Sequence, residues 1–238
     1  MKTVLITGGS RGIGRAMTEA FSGNGYAVAF TYKNSETEAK SLAESTGALA
    51  IRADSAIEGD VISAVDTVVK TYGHIDCLIN NAGISSFSLF TDITAQQWNE
   101  MMAVNLTGAF LYSREALKYM ISKKQGRIIN ITSVWGLVGS SCEVHYSTAK
   151  AGLIGMTKAL AKEVAPSGIT VNAIAPGMID TDMNRAFSDD DLKGILDEVP
   201  VGRIGLPDEI ARAALFLADD ASAYITGDVL NVSGGYVI

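Results

Sequence analysis

The sequence predicts a single α/β domain in which a parallel β-sheet is covered by helices on both faces. Apolar runs of about five residues alternate with longer segments of helical periodicity, which is the pattern of a doubly wound sheet. A glycine-rich turn follows the first apolar run, as in Rossmann-type folds. No linker, low-complexity stretch or change of composition divides the 238 residues, so we expect one domain over 1–238.

The predicted elements alternate in type along the whole chain. Strands are predicted over 3–7, 26–32, 48–52, 77–80, 127–132, 170–175 and 229–232, and helices over 12–24, 37–46, 57–72, 94–122, 145–165 and 209–217. The stretch from 176 to about 208 is predicted to be irregular, apart from a helix start at 188–191. Its polar part, from about 181 to 203, is the predicted lid over a substrate.

Composition and charge limit the kinds of function. Hydrophobic residues make up 47% and charged residues 19%, as in ordered globular proteins. The formal charge of −7 argues against general binding to nucleic acids or anionic membranes. Cys77 and Cys142 provide neither a disulfide framework nor metal-ligand spacing, and no apolar window reaches the ~20 residues of a membrane span. We therefore expect a cytoplasmic protein without a bound metal.

The turn at 7–14, Thr-Gly-Gly-Ser-Arg-Gly-Ile-Gly, joins the first strand to the first helix. Glycines let the backbone approach a phosphate closely, and the helix N-terminus offers it unpaired N–H groups. The spacing is Gly-x-x-x-Gly-x-Gly, and it differs from the commoner Gly-x-Gly-x-x-Gly fingerprint. The residues of this turn predicted to bind a dinucleotide are Gly8, Ser10, Arg11, Gly12, Ile13 and Gly14.

The end of the second predicted strand indicates which dinucleotide is bound. NAD sites place an acid there to accept a hydrogen bond from the ribose 2′-hydroxyl, but this strand has no carboxylate before Glu36. Arg11 and Lys33 have the charge to hold a 2′-phosphate, which favours NADP. Two solvated surface cations are the alternative interpretation.

Tyr146 and Lys150 are spaced to share one face of a helix. A phenol ordinarily titrates near ~10, and a neighbouring ammonium favours the phenolate. We therefore expect Lys150 to lower the pKa of Tyr146, so that the pair exchanges a proton with a substrate oxygen. An exposed surface pair is the alternative when these two residues are considered by themselves.

Together with Asn80-Asn81-Ala82-Gly83 after the fourth strand and Ser133 after the fifth, these motifs resemble the short-chain dehydrogenase/reductase family. The resemblance extends over the whole chain in the right order. Within the family, the segments 172–183, 199–203 and 224–235 are similar to 3-oxoacyl-[acyl-carrier-protein] reductases, although alcohol, sugar and steroid reductases share much of this pattern.

The resemblance implies catalytic roles for four residues. Tyr146 would protonate a carbonyl oxygen as hydride arrives from the nicotinamide, while Ser133 would hydrogen-bond the same oxygen. Lys150 would lower the pKa of Tyr146 and bind the nicotinamide ribose. Asn105 would anchor a water in the proton relay, and we expect its polar side chain to interrupt the long helix.

The resemblance also implies further cofactor contacts. Asp54 would contact the adenine, and Asn81, Ala82 and Gly83 would line the nucleotide cleft. After the sixth strand, the corresponding residues near the nicotinamide and pyrophosphate are Pro176, Gly177, Ile179 and Thr181.

The resemblance implies NADPH-dependent reduction of a 3-oxoacyl thioester, with acyl carrier protein as a possible partner. A basic cluster at Lys118, Lys123, Lys124 and Arg127 is the candidate docking patch. Ser167 departs from the basic residue that such reductases often have there, which weakens the expectation of docking. Family members are mostly tetramers joined through their long helices, so we expect a homotetramer.

Two other functions remain open at this point. One is the same chemistry on a free alcohol, sugar or steroid. The other is a regulatory nucleotide-binding protein without catalysis, which would have no need of Tyr146. His145, next to Tyr146, is predicted to line the substrate pocket or to pack in the core.

Overall fold

A computed structural model describes residues 1–182 and 189–237. Ser188 and the central part of the predicted lid lie outside these residues. In the described part of the chain, seven parallel strands form one sheet in the order β3-β2-β1-β4-β5-β6-β7. The strands are β1 Thr3–Ile6, β2 Ala27–Tyr32, β3 Leu49–Arg52, β4 Cys77–Asn80, β5 Gly126–Ile131, β6 Ile169–Pro176 and β7 Val229–Val232. The predicted fold class is confirmed.

Helices follow the strands on both faces of the sheet. They are α1 Gly12–Gly23, α2 Glu36–Thr46, α3 Glu58–Tyr72, α4 Ala95–Met102, α5 Gly108–Lys123, α6 Trp135–Val138, α7 Val144–Val164, α8 Asp189–Glu198 and α9 Pro207–Ala218. One cluster of buried side chains lies between the sheet and α1, α2 and α9, while a second packs α3, α5 and α7 on the other face. The five inner strands are thus buried on two sides, which explains their continuous apolar runs, while the edge strands β3 and β7 are partly exposed.

Two helical predictions need correction. The pattern over 94–122 is divided, because five residues, Ala103–Thr107, form a π-helical turn between α4 and α5. The stretch predicted to be irregular contains the ten-residue helix α8. Its start at Asp189 agrees with the predicted helix start. The remainder was not predicted, because the interior Gly194 and the high polarity are typical of a loop.

The strand order reverses between β1 and β4. From this point the chain connections run outward in both directions, so the loops after the two strands diverge and leave a crevice at the carboxyl edge of the sheet. The glycine-rich turn follows β1, and segment 81–83 follows β4. The fold thereby places the two predicted nucleotide-binding segments side by side.

Candidate active site

The turn between β1 and α1 forms one wall of a deep cavity at this edge. Gly8 and Gly12 have left-handed backbone, with φ of 64° and 50°, which side chains disfavour. A Cβ at Gly14 would lie 2.1 Å from the Gly8 carbonyl oxygen. Helix α1 begins without a side-chain cap and without an acid in its first turn. Its N–H groups are therefore suited to bind phosphate oxygens.

The segment after β4 is tied to this turn by side chains. The Thr7 hydroxyl accepts hydrogen bonds from the N–H groups of Asn81 and Ala82, at 3.0 and 2.9 Å. The Asn81 amide donates to the carbonyls of Thr7 and Gly8, at 2.9 and 3.0 Å. These four bonds hold the two walls of the crevice at a fixed separation, so Asn81 supports the phosphate-binding turn directly.

The opposite side of the cavity is formed by the segment after β6. Thr181 lies close to the glycine turn, since a Cβ at Gly12 would be 3.2 Å from its methyl group. Arg11 lies 3.8 Å from Asp182 in the same segment. Gly177 packs against Ser233, where a Cβ would approach to 2.8 Å. This loop therefore closes over the space that the glycine turn opens.

Lys33 and Asp54 face each other at the outer end of the cavity, 2.7 Å apart. The hydrogen bond from Lys33 raises its own pKa. Burial by itself raises the pKa of Asp54, but the bonds from Lys33 and from the Ala56 N–H lower it overall. The structure thus places the predicted phosphate-binding lysine next to the predicted adenine contact. The sequence had indicated these two roles separately.

The cavity has a volume of about 490 Å³, within the range of cofactor sites. All the residues predicted from the sequence line it: the glycine turn, Lys33, Asp54, segment 81–83, the loop after β6 and the four catalytic candidates. The glycine cradle, the uncapped helix and the cations at the outer end fit the phosphates of a dinucleotide. The roles of the individual residues remain predictions.

The catalytic candidates meet at the inner end of the cavity. Tyr146 and Lys150 lie on the first turns of α7 and are 9% and 4% exposed, while Ser133 follows β5. The Ser133 hydroxyl is close enough to the Tyr146 phenol to oppose the rise of its pKa, and it accepts from the Trp135 N–H at 3.1 Å. Two hydroxyl groups are thus held side by side, where both can contact one substrate oxygen.

The prediction that Lys150 lowers the pKa of Tyr146 is wrong for the protein without cofactor or substrate. Burial raises the pKa of Tyr146 to about 12, although the Ser133 hydroxyl opposes the rise. Burial lowers the pKa of Lys150 to about 8. The Lys150 ammonium donates to the Ile131 carbonyl at 3.0 Å and lies 5.6 Å from the centroid of the Tyr146 ring. Tyr146 is therefore a neutral phenol at pH 7.

Asn105 lies in the π-helical turn and is 1% exposed. Its amide donates to the carbonyls of Ile84 and Met101, at 3.0 and 3.1 Å, and accepts from the Ile84 N–H at 3.2 Å. A Cβ at Gly83 would lie 2.7 Å from the Asn105 oxygen and 3.4 Å from the Lys150 nitrogen. The side chain that interrupts the helix therefore fixes the loop after β4 beside Lys150.

Several residues on the substrate side of the cavity were not predicted from the sequence. Glu143, Phe87 and Tyr236 line it together with Trp135, whose ring packs edge-on against Tyr236 with centroids 5.5 Å apart. Glu143 precedes Tyr146 by three residues, and this helical spacing was the available signal.

His145 is fully buried and belongs to the packing around the cavity. Its Nε2 lies 2.8 Å from the Ser86 hydroxyl, and the Ser88 N–H donates to the Cys142 carbonyl at 2.8 Å. These contacts bind the loop after β4 to the start of α7. Burial lowers the pKa of His145, which keeps the imidazole neutral at pH 7.

The predicted basic docking patch is largely neutralised by nearby acids. Lys118 pairs with the buried Glu115, and Lys123 lies 2.6 Å from Asp76. Arg127 is 7% exposed and lies 3.5 Å from Asp220. Glu115 lies three residues before Lys118 on the same helix, so that pair could have been predicted from the sequence. Asp76 and Asp220 are distant in sequence from their partners, so the sequence could not show those two pairings.

The chain resembles known proteins over nearly its whole length. A family model described as enoyl-(acyl carrier protein) reductase matches residues 8–237. A solved short-chain dehydrogenase/reductase from Serratia marcescens, a doubly substituted mutant, superposes with a TM-score of 0.92 at 34% identity, covering 99% of this chain and 97% of that one. This chain belongs to the short-chain dehydrogenase/reductase family. It is therefore an oxidoreductase acting on CH–OH and carbonyl groups, in a family that uses a nicotinamide cofactor.

Three relatives in the family have names that state their substrates. The 3-oxoacyl-[acyl-carrier-protein] reductase FabG of Escherichia coli strain K12 is 44% identical over 240 residues, 98% of this chain and 96% of the relative. FabG of Aquifex aeolicus is 42% identical with the same coverage. An acetoacetyl-CoA reductase from Shinella zoogloeoides is 43% identical over 235 residues, 98% of each chain. All three names describe the reduction of a thioester substrate.

Membrane spans and metal clusters are both absent from the described part of the chain. No described helix is both long and apolar enough to cross a membrane. Within residues 1–182 and 189–237, no cluster of three or more histidine, cysteine, aspartate or glutamate side chains is arranged to hold a metal ion.

Proposed function

We propose that this enzyme uses NADPH to reduce a 3-oxoacyl thioester to the 3-hydroxyacyl thioester. The observation that supports it most directly is the buried pair of hydroxyls, Tyr146 and Ser133, beside Lys150 in a cavity that continues to a phosphate-binding turn. The relatives named as 3-oxoacyl and acetoacetyl thioester reductases support the substrate class. Fatty acid synthesis is the proposed setting, in the cytoplasm, where the free thiols of Cys77 and Cys142 would remain reduced.

Tyr146 is the proposed proton donor. Bound NADPH supplies hydride to the carbonyl carbon. Ser133 and Tyr146 both hydrogen-bond the carbonyl oxygen, which orients it and stabilises the negative charge that develops there. The raised pKa keeps the Tyr146 proton in place at pH 7, as reduction requires. The proton then passes from the phenol to the new alkoxide.

Lys150 and Asn105 support this transfer. The buried Lys150 ammonium lies below the Tyr146 ring and stabilises the phenolate left after the proton has gone. Asn105 holds the Ile84 backbone on both its N–H and its carbonyl. This fixes the loop after β4, and we propose that the same amide orients a water that reprotonates Tyr146 by way of Lys150.

NADPH is the proposed cofactor form because cations flank the outer end of the cavity. Lys33 follows β2 where NAD-binding sites place an acid, and Arg11 lies in the glycine turn. Both side chains are more than half exposed at the cavity rim. A 2′-phosphate would compete with Asp54 and Asp182 for these two cations.

A homotetramer joined through α5 and α7 is the proposed assembly. Phe110 is 47% exposed on α5, and Ala151 and Gly155 are exposed on α7. The small side chains on α7 allow two helices to approach closely. Light scattering should show four chains, and Gly155→Arg should dissociate the assembly.

A panel of carbonyl substrates tests the proposed activity. NADPH oxidation should be fast with acetoacetyl thioesters of coenzyme A and acyl carrier protein, and slow with unactivated ketones. A crotonyl thioester serves as the control for enoyl reduction, which the family model's description names. Faster turnover of free alcohols, sugars or steroids than of thioesters would support the second candidate substrate class instead. NADPH binding without any carbonyl reduction would support a regulatory binding protein.

A further inference from the structure

Glu143 is a carboxylic acid buried in the wall of the catalytic cavity. It precedes the first residue of α7 and is 5% exposed. Tyr146 lies three positions further along, on the same side of the helix. The Glu143 carboxyl does not cap the helix, and it is close enough to Tyr146 for its charge to raise the phenol pKa. This side chain therefore lies in the cavity wall next to the proposed proton donor.

Comparison with Glu115 shows how unusual this environment is. Both glutamates are 5% exposed. Glu115 is paired with Arg114 and Lys118, and the Lys118 hydrogen bond is the main cause of its lowered pKa. Among the residues that the structure describes, Glu143 has no cation partner. Burial raises the pKa of Glu143, and the neighbouring Ser140 side chain opposes the rise.

A buried carboxyl without a cation favours one kind of neighbour. Its neutral form carries an O–H that can donate to an acceptor oxygen in the cavity. Its charged form repels a second carboxylate, and removing both charges from water adds to that cost. The charged form therefore favours a neutral group in the cavity over an anionic one, whereas the neutral form can donate to either.

We propose that the Glu143 carboxylate determines specificity by rejecting the free 3-oxo acid in favour of the neutral 3-oxoacyl ester or thioester. This inference rests on the proposed function, since it concerns the group two carbons from the ketone in that substrate class. A 3-oxoacyl thioester has a neutral acceptor two carbons from the ketone. Hydrolysis converts that acceptor to a carboxylate, so the same side chain distinguishes the activated acyl group from its hydrolysis product.

The test compares Glu143→Gln and Glu143→Leu with wild type on three substrates: an acetoacetyl thioester, methyl acetoacetate and free acetoacetate. Glutamine keeps a donor and removes the acid, so the ratio of kcat/KM for acetoacetate to that for methyl acetoacetate should rise about tenfold or more. Leucine removes the same charge, so it should raise that ratio by a similar factor, while KM for the thioester and for the methyl ester should change by less than about threefold.

Glu163→Gln, an exposed change on the same helix, is the matched control and should alter none of these values. NADPH affinity, measured by fluorescence, reports whether each variant keeps the folded site. An unchanged acetoacetate ratio in either Glu143 variant, with NADPH binding intact, would overturn the proposal. Failure of the proposed function looks different, because wild type would then reduce neither thioester nor methyl ester efficiently compared with other ketones.

Discussion

The Lys33 ammonium lies 2.7 Å from the Asp54 carboxylate, so the ends of β2 and β3 are joined by an ion pair at the outer rim of the cavity. In an NAD site an acid at the end of the second strand accepts from the ribose. Here the nearby acid comes from the next strand, and Lys33 neutralises it. Asp54 is therefore already paired with a cation, and a ribose phosphate would compete with it for Lys33.

The first prediction concerns cofactor choice. Changing both Arg11 and Lys33 to alanine should weaken NADPH binding about 30-fold or more and NADH binding less than about threefold, because only NADPH has a charged group for these cations. Fluorescence titration with both cofactors measures the effect. Lys70→Ala, an exposed lysine on α3, is the control. Equal losses for the two cofactors would contradict the assignment.

The second prediction uses two glycines of α1. Gly14→Ala places a Cβ 2.1 Å from the Gly8 carbonyl, whereas Gly23→Ala meets no atom within 4 Å. Gly14→Ala should distort the phosphate-binding turn and reduce NADPH affinity by about tenfold or more. Gly23→Ala should be neutral or stabilising by about 0.5–1 kcal/mol. Cofactor titration and urea unfolding distinguish the two, and similar effects at both positions would refute the steric argument.

The third prediction concerns the cost of burying Lys150. Its pKa falls from 10.5 in the unfolded chain to about 8 in the folded protein, so its charge destabilises the fold by roughly 3 kcal/mol at pH 7. The cost is fully present below about pH 8 and is relieved as the pH rises from there toward 10.5. Lys150→Met should therefore lose activity, yet be about 1–3 kcal/mol more stable than wild type without cofactor.

Urea unfolding of both proteins between pH 7 and about 9.5 measures this cost. The stability advantage of Lys150→Met should shrink as pH rises through this window. The difference between the two proteins is the informative quantity, because burial also raises the pKa of Cys77, Tyr26, Tyr112 and Tyr146. Those groups lower stability at high pH in both proteins alike. An advantage that stays constant with pH would exclude Lys150 titration as its cause.

The fourth prediction concerns Asn105. Asn105→Leu leaves both backbone groups of Ile84 without their side-chain partner, and it should destabilise the protein by about 2–3 kcal/mol. It should also reduce kcat more than it raises KM, because the loop beside Lys150 is no longer held. Asn99→Ala, an exposed change on the neighbouring α4, should have little effect on either quantity. Equal responses of the two variants would argue against a specific role for the Asn105 amide.

Much of the fold could be predicted because buried parallel strands appear in the sequence as short, continuous apolar runs. Val4, Leu5 and Ile6 are all fully buried, and such runs identify strands without knowledge of their neighbours. The same reasoning placed the predicted site residues, because loops after parallel strands meet at one edge of the sheet. Helix α8 was missed because its polarity and interior glycine resemble those of a loop.

The chemical state of the site could not be predicted, because it depends on burial and on distant partners. Tyr146 was expected to have a lowered pKa on the strength of its spacing to Lys150, but burial dominates and raises it. Lys123 was assigned to a docking patch, yet Asp76, 47 residues away in sequence, neutralises it. Spacing along a helix shows which side chains are neighbours and leaves their solvation undetermined.

The most direct test of the central claim is the turnover of Tyr146→Phe with NADPH and an acetoacetyl thioester. The change removes one oxygen from a side chain that is otherwise retained. We expect kcat to fall by about 10³-fold, since no other group supplies the proton, while the Kd for NADPH stays within about threefold of wild type. Turnover within about tenfold of wild type, with NADPH still bound, would contradict Tyr146 as the proton donor.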